Sequence, residues 1–415
     1  HMASRGISML VFSLLFLPLL LPLVGASSEW KEDGWLDADW YTKEGRIAAG
    51  DELGCQEILT LNLELMPKTT ALECKKYLND RTNASRWGSN PLSFGIDLIK
   101  NPNFDSDDHE ALFSEGFAVH GLNTNYENTV WHNANDFPEN SSDWWNLGYS
   151  GSLEQTITPL KEIQDLANQG AMVNLYWQAQ IADLKVRTNG ELVEWLESEN
   201  AWYTAWGESY SYEFHRNNDV FNIYSNSSKE WNIVNQGSEL NSLAWDLPVT
   251  RGVDIRNNSV VEIKINDVSL QELSVTNKTL EQGWRQEQDI LWITLASGQN
   301  ATIVMKNESE IDLNPEACDD LANEENCVLQ RKPRFFNNHP WALTIAGHHT
   351  TDLFKWSMKF DESPLVFTWL VEPQEVKDFN WFLIVIAASA GIGAVAYTRH
   401  LVKRDKEEQN LFESE

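Results

Sequence analysis

The spacing of apolar and polar positions changes along the 415 residues, and the changes divide the chain. In the first half, stretches with helical spacing alternate with short apolar runs. Leu153, Ile157, Leu160, Ile163, Leu166 and Ala167 recur on one helix face, and Asn168-Gln169-Gly170 supplies a stop. The same spacing predicts helices over 69–82 and 190–199. Runs at 45–50, 116–120, 171–178 and 201–206 read as strands, the first ending at the acidic pair Asp51-Glu52. Strands alternating with helices predict an α/β fold, as a distorted barrel or a layered sheet.

From about residue 220 the pattern changes to short β-branched runs at 253–255, 260–265, 269–275, 290–295 and 301–305. Turns such as Asn266-Asp267 and Ser297-Gly298 separate them, which predicts a small antiparallel β-sandwich. An acidic loop over 307–326 leads to a last module, 333–373, with strand, short helix and strand.

The two ends follow a different logic. Arg5, an apolar run from Leu10 to Val24 and the small residues Gly25-Ala26 have the layout of a secretory signal peptide. Pro18 and Pro22 argue against a spanning helix there. Near the other end, Trp381 to Tyr397 carries no charge and precedes Arg399, Lys403, Arg404 and Lys406. A bilayer core needs roughly 20 apolar residues, so this stretch with its flanks predicts a C-terminal transmembrane helix. The basic flank would stay in the cytoplasm, giving a single-pass type I protein with its bulk outside the cell. Ser389, Gly391 and Gly393 offer a small-residue face to a membrane partner. The expected organisation is a signal peptide (1–26), a mixed α/β domain (27–218), a β-sandwich (219–306), a disulfide loop with a membrane-proximal β module (307–378), the span (379–398) and a cytoplasmic tail (399–415).

Composition narrows the partners. With 62 acidic and 31 basic residues the net charge is -31, which disfavours a nucleic-acid backbone. The four cysteines form two local pairs, Cys55 with Cys74 and Cys318 with Cys327, and an exported chain would oxidise them. Four cysteines allow three connectivities, of which local pairing closes the shortest loops. A zinc site using all four is the rival, and no C-x-x-C spacing supports it. Seven glycosylation sequons, at Asn83, Asn140, Asn226, Asn257, Asn277, Asn300 and Asn307, suit a cell-surface glycoprotein.

One family resemblance emerges from the middle third. Residues 194–217 (EWLESENAWYTAWGESYSYEFHRN) resemble a late segment of polysaccharide deacetylases, where a helix, a strand ending in aromatic-Gly-Glu and a tyrosine-bearing helix follow in order. Residues 243–253 (LAWDLPVTRGV) and 290–305 resemble the beginning and the last hairpin of the sandwich that some of these enzymes append. The resemblance implies a distorted (β/α) barrel that removes acetyl groups from sugars with a divalent metal such as zinc. It places Asp51 as general base and Glu52 as metal ligand, because the family's first core strand ends in an acidic pair. His120 would be a further ligand. The chain departs from the pattern at Thr124, where a second histidine is expected; His132 is the nearest other, and the strand at 173–178 carries none.

Three further features bear on function. Tryptophan is abundant, 19 in all, and Trp144-Trp145 lies among polar residues as a candidate platform for sugar rings. His339, His348 and His349 form a second histidine group, although adjacent histidines point in different directions. There is no P-loop, dinucleotide fingerprint or nucleophile elbow. The expectation is a cell-surface protein that binds or processes glycans, active or silent as a deacetylase. Its rivals are a structural or adhesion ectodomain and an accessory subunit of a membrane complex.

Overall fold

The computed structural model describes residues 45–123, 141–153, 158–178, 190–255, 257–308, 331–351, 353–374 and 381–412. The expected signal peptide, Cys318, Cys327, Thr124, His132 and Asn140 lie outside them. Two compact units are present, one within Glu32–Gln374 and a second that contains the segment from Glu375 onward.

The larger unit begins with helix α1 (Arg46–Ala49) and strand β1 (Glu52–Gln56), followed by α2 (Pro67–Asn79), β2 (Ser93–Asp97), α3 (Ser106–Ser114) and β3 (Val119–Asn123). Then come β4 (Gly151–Ser152), α4 (Leu160–Asn168), β5 (Met172–Gln178), α5 (Glu191–Ser198), β6 (Trp202–Tyr203) and α6 (Trp206–Asn218). The chain next makes eight antiparallel strands: β7 (Phe221–Ser227), β8 (Glu230–Asn235), β9 (Val249–Asp254), β10 (Val260–Ile265), β11 (Val268–Ser269), β12 (Gly283–Glu287), β13 (Ile290–Leu295) and β14 (Asn300–Met305). It returns through β15 (Ala342–Thr350), α7 (Leu353–Ser357) and β16 (Thr368–Val371).

The parallel strands form one α/β half-barrel sheet in the order β3-β2-β1-β16-β15-β5-β4, with β6 also paired to β15. Its open side is narrowed where Leu147, just before β4, bridges Gly121 of β3. β15 and β16 therefore complete the sheet that β1 and β5 begin, and the 333–373 segment is part of the barrel. The antiparallel strands form a five-stranded and a three-stranded sheet that share one apolar cluster, including Trp231, Ile263, Leu291 and Ile303. This sandwich sits in the chain between the sixth barrel strand and the seventh. It docks on the barrel end where the strands start: Arg86 donates to the Leu280 carbonyl (2.8 Å), and the Tyr203 N–H to the Lys278 carbonyl (2.7 Å).

Side-chain alternation sorts the barrel strands into two faces. On β5, Val173, Leu175 and Trp177 point outward, where Trp177 packs edge-on against Trp356, Phe360 and Trp369. Cys55 also points outward and bonds Cys74 of α2. The alternate set lines the lumen. Trp206, at the start of α6, turns into that lumen and donates to Asn174 Oδ1 (2.9 Å), while its backbone N–H meets Thr368 Oγ1 (2.9 Å). Gly121 permits this, since a Cβ there would lie 2.1 Å from the Trp206 ring. The inward turn also explains why β6 has only two residues.

Two expectations are corrected. The run at 45–50 is a helical turn rather than a strand, because Arg46 folds back to bind Asp51 and the carbonyls of Phe360, Ser363 and Leu365. The predicted transmembrane helix is overturned as well. A helix α8 (Trp381–Phe412) is present, but among the described residues no helix is long and apolar enough to cross a membrane. The helix does not end with the apolar stretch but runs unbroken from Trp381 through Arg399, Lys403 and Arg404 to Phe412.

Candidate functional site

The acidic pair expected to carry chemistry lies at the beginning of β1, away from the strand ends that barrel enzymes use. Asp51 faces outward and is saturated. Arg46 grips it through Nε (3.0 Å) and Nη2 (2.8 Å), Trp369 Nε1 donates to it (2.8 Å), and so does the Phe367 N–H (3.0 Å). Glu52 faces the lumen, where Ser93 and the Gly207 N–H (2.8 Å) donate to it. Burial raises its pKa to about 7 against these donors, and Glu208 adds to the rise. His120 points away from both, toward α3, with its Nδ1 2.8 Å from His109 Nδ1 and its Nε2 3.0 Å from the Phe117 carbonyl. Burial, with His109 beside it, lowers its pKa to about 3.

These three side chains do not converge, so they do not fit the divalent metal that the family resemblance implies. Among the described residues no group of three or more His, Cys, Asp or Glu could hold a metal ion. The tryptophan platform is absent as well. Trp144 is 3% exposed and packs edge-on against Tyr210, and Trp145 stacks on His109 and His120. His339 bonds the Asn277 carbonyl (2.8 Å) at the start of β15, away from the other two histidines of its group. Of the sequon asparagines, Asn83, Asn226, Asn257, Asn300 and Asn307 are exposed. Asn277 is half-buried and bonded to Glu281 (2.6 Å).

The opposite end of the lumen, where the strands finish, holds the denser chemistry. Gln56 ends β1, Asp97 ends β2, Gln178 ends β5, His348 and His349 lie near the end of β15, and Glu372 follows β16. Glu57 and Glu372 bracket the β1–β16 pair. Lys100 bonds Glu57 and lies 3.9 Å from Asp97 Oδ2, and Asn101 Nδ2 donates to Glu57 Oε2 (3.0 Å). Burial works against the Lys100 ammonium, but Glu57, Asp97 and Glu372 outweigh it and raise its pKa.

His349 is built into this cluster by its backbone. The β15–β16 ladder shifts register between Gly347 and Thr350, and His349 adopts φ +54°. A bulge of this kind re-aims a side chain, and left-handed backbone at a non-glycine residue costs on the order of 1–2 kcal/mol. The result is a relay: His349 Nδ1 lies 3.1 Å from Glu372 Oε2, and the His349 N–H donates to Gln56 Oε1 (2.8 Å). Beneath it, the Tyr149 hydroxyl bonds His348 Nε2, and Trp206 and Leu370 close the floor. A groove of about 660 Å³ lined by Asn168, Gly170, Ser198 and Trp341 lies at the other end of the barrel, distant from these groups.

No family model, curated protein or solved structure matches this chain. The site therefore rests on its own geometry.

Proposed function

We propose that this is an exported glycan-processing hydrolase that takes a neutral sugar at the C-terminal mouth of the barrel. The observation that carries the reading is the convergence of Glu57, Asp97, His349 and Glu372 from four different strands on one end of a lumen with a closed floor. That end of a barrel is where catalytic groups gather, since several strand ends aim at one point.

The chemistry favours a hydroxyl-rich, uncharged ligand. The mouth offers amides (Gln56, Asn101, Gln178) and carboxylates, and its cation Lys100 is already held by Glu57. With a net charge of -31, a polyanion would be repelled. Glycosidic cleavage needs two carboxyl groups across one bond. Asp97 and Glu372 stand on strands separated only by β1 and are offset by two residues along them, which puts their backbones about 12 Å apart. Both lie on the lumen face by alternation, Asp97 held through Oδ1 by the Ile99 N–H (2.9 Å) and Glu372 held by His349 (3.1 Å), and this reading has the sugar bind between them. In this reading Glu372, oriented by His349, and Asp97, neighboured by Lys100, act as the acid and its partner. The disulfide Cys55–Cys74 agrees with export to an oxidising compartment.

The test is release of reducing sugar from a panel of neutral oligosaccharides, for the parent and for Glu372→Gln and Asp97→Asn. Each variant should lose about 10²- to 10⁴-fold in kcat with the fold intact. Turnover unchanged in both variants, or no binding and no release by the parent on the panel, would refute the proposal.

A further inference from the structure

We infer that His348 contacts the ligand directly, its Nδ1 meeting a sugar hydroxyl at the floor of the mouth while Tyr149 holds the imidazole from behind. The inference rests on the glycan reading above and adds to it the group that recognises the sugar.

Three observations point to this. His348 is 1% exposed and lies on the lumen face of β15, level with Gln178 of β5. Its Nε2 is bonded to Tyr149, whereas its Nδ1 has no hydrogen-bond partner among the described residues. A buried polar atom left unmatched is destabilising and asks for a partner that the fold does not supply, and of the atoms in that state here His348 Nδ1 lies on the lumen face near the mouth. The ring also reaches across the lumen: a Cβ on Gly95 of β2 would lie 3.5 Å from His348 Cε1. By register it is level with Leu370 and Gly54, two residues below Glu372 and Gln56 on their strands.

The charge state fits a neutral partner. Burial, with His349 nearby, lowers the His348 pKa to about 3, so the imidazole is uncharged at ordinary pH. Burial raises the Tyr149 pKa, which keeps its hydroxyl protonated. Whichever tautomer this pair adopts, Nδ1 is either an N–H donor or a lone-pair acceptor. A hydroxyl matches both, whereas a carboxylate or phosphate matches only one and gains no charge partner. The site thus selects a neutral ring with a free hydroxyl pointing down the lumen axis.

The experiment compares the parent with His348→Phe/Tyr149→Phe, which removes both polar groups and retains the rings. The probes are methyl glycosides and disaccharides of glucose, galactose, mannose and xylose, with monodeoxy analogues of whichever binds. Calorimetry should show binding weakened at least about ten-fold and the penalty for one deoxy position abolished. Unchanged affinity overturns the inference and leaves the hydrolase reading standing. If the double variant does not fold, His348→Gln carries the same affinity test. A parent that binds none of the probes sinks the glycan reading and this inference with it.

Discussion

The two ends of the barrel use the same residue types for opposite purposes. Where the strands start, each carboxylate is matched by rigid donors. Asp51 has Arg46, Trp369 and a backbone N–H, and Glu208 has Trp87 (2.5 Å), Thr204 (3.0 Å) and Arg86 (3.2 Å). The sandwich covers this end, and both carboxylates here are fully engaged by donors, although Arg86 Nε and Trp202 Nε1 find no partner among the described residues. Where the strands finish, the carboxylates meet a lysine and a histidine on left-handed backbone, above an imidazole nitrogen with no partner among the described residues. Saturation marks a joint that holds the fold; unfinished hydrogen bonding beside strain marks a place that waits for something.

The widest separation between the ends should come from one substitution at each. Glu372→Gln keeps the size and a hydrogen bond to His349, so it should remove most turnover and shift stability by less than about 1 kcal/mol. Asp51→Ala should do the reverse. It strands the Arg46 guanidinium in a buried site with its other bonds intact, which costs about 3–5 kcal/mol. Urea denaturation and the sugar-release assay on both variants decide the matter. If Asp51→Ala is as stable as the parent, or loses turnover at unchanged stability, the division between the ends is wrong.

How much of this could be read from the sequence follows from the same geometry. The strand at 171–178 and the helices at 69–82 and 190–199 were legible because their periodicity is local and their burial follows it. The site was not, because the acidic pair Asp51-Glu52 looks like a strand end until Arg46 turns the preceding residues into a helix. That displacement carries the pair from the end of one strand to the beginning of the next, from the mouth to the base. Glu372 reads in sequence only as the polar end of the 333–373 module, and Asp97 ends a strand too short to announce itself. The signal that would have found them is positional: Gln56-Glu57, Asp97 and Glu372 each follow a short buried run. Recognising those runs as neighbours requires β16 to pair with β1, more than 300 residues apart, which no local pattern records.

The base of the barrel should also titrate differently from the mouth. Glu52 has its folded pKa raised to about 7 from an ordinary 4.5, chiefly by burial. Between those values the folded chain holds a proton that the unfolded chain has released. Its contribution to stability is therefore fully present below about 4.5, falls as pH rises and is gone above about 7. The difference amounts to about 3 kcal/mol. Glu52→Gln removes this dependence, so the gap between parent and variant in urea midpoint should widen in favour of the variant from pH 4.5 to 8. A constant gap across that range would show that Glu52 is solvated or ionised throughout, and the base of the lumen would then be less sealed than its hydrogen bonds indicate.

The smallest effect tests whether strain at the mouth is tied to function. His349 holds φ +54° only because the bulge after Gly347 forces it, and a glycine would adopt that backbone without steric cost. His349→Gly loses the bond to Glu372 but relieves the strain, so the two effects should nearly cancel, within about 1 kcal/mol. His349→Val loses the same bond and adds a β-branched side chain in left-handed backbone, so it should be less stable than the glycine variant by about 1–2 kcal/mol. Both should lose turnover to a similar degree, since neither orients Glu372. Equal stability of the two variants would mean that the backbone relaxes freely at this position. The left-handed turn would then be a by-product of the bulge, and the contrast with the saturated end would rest on hydrogen bonding alone.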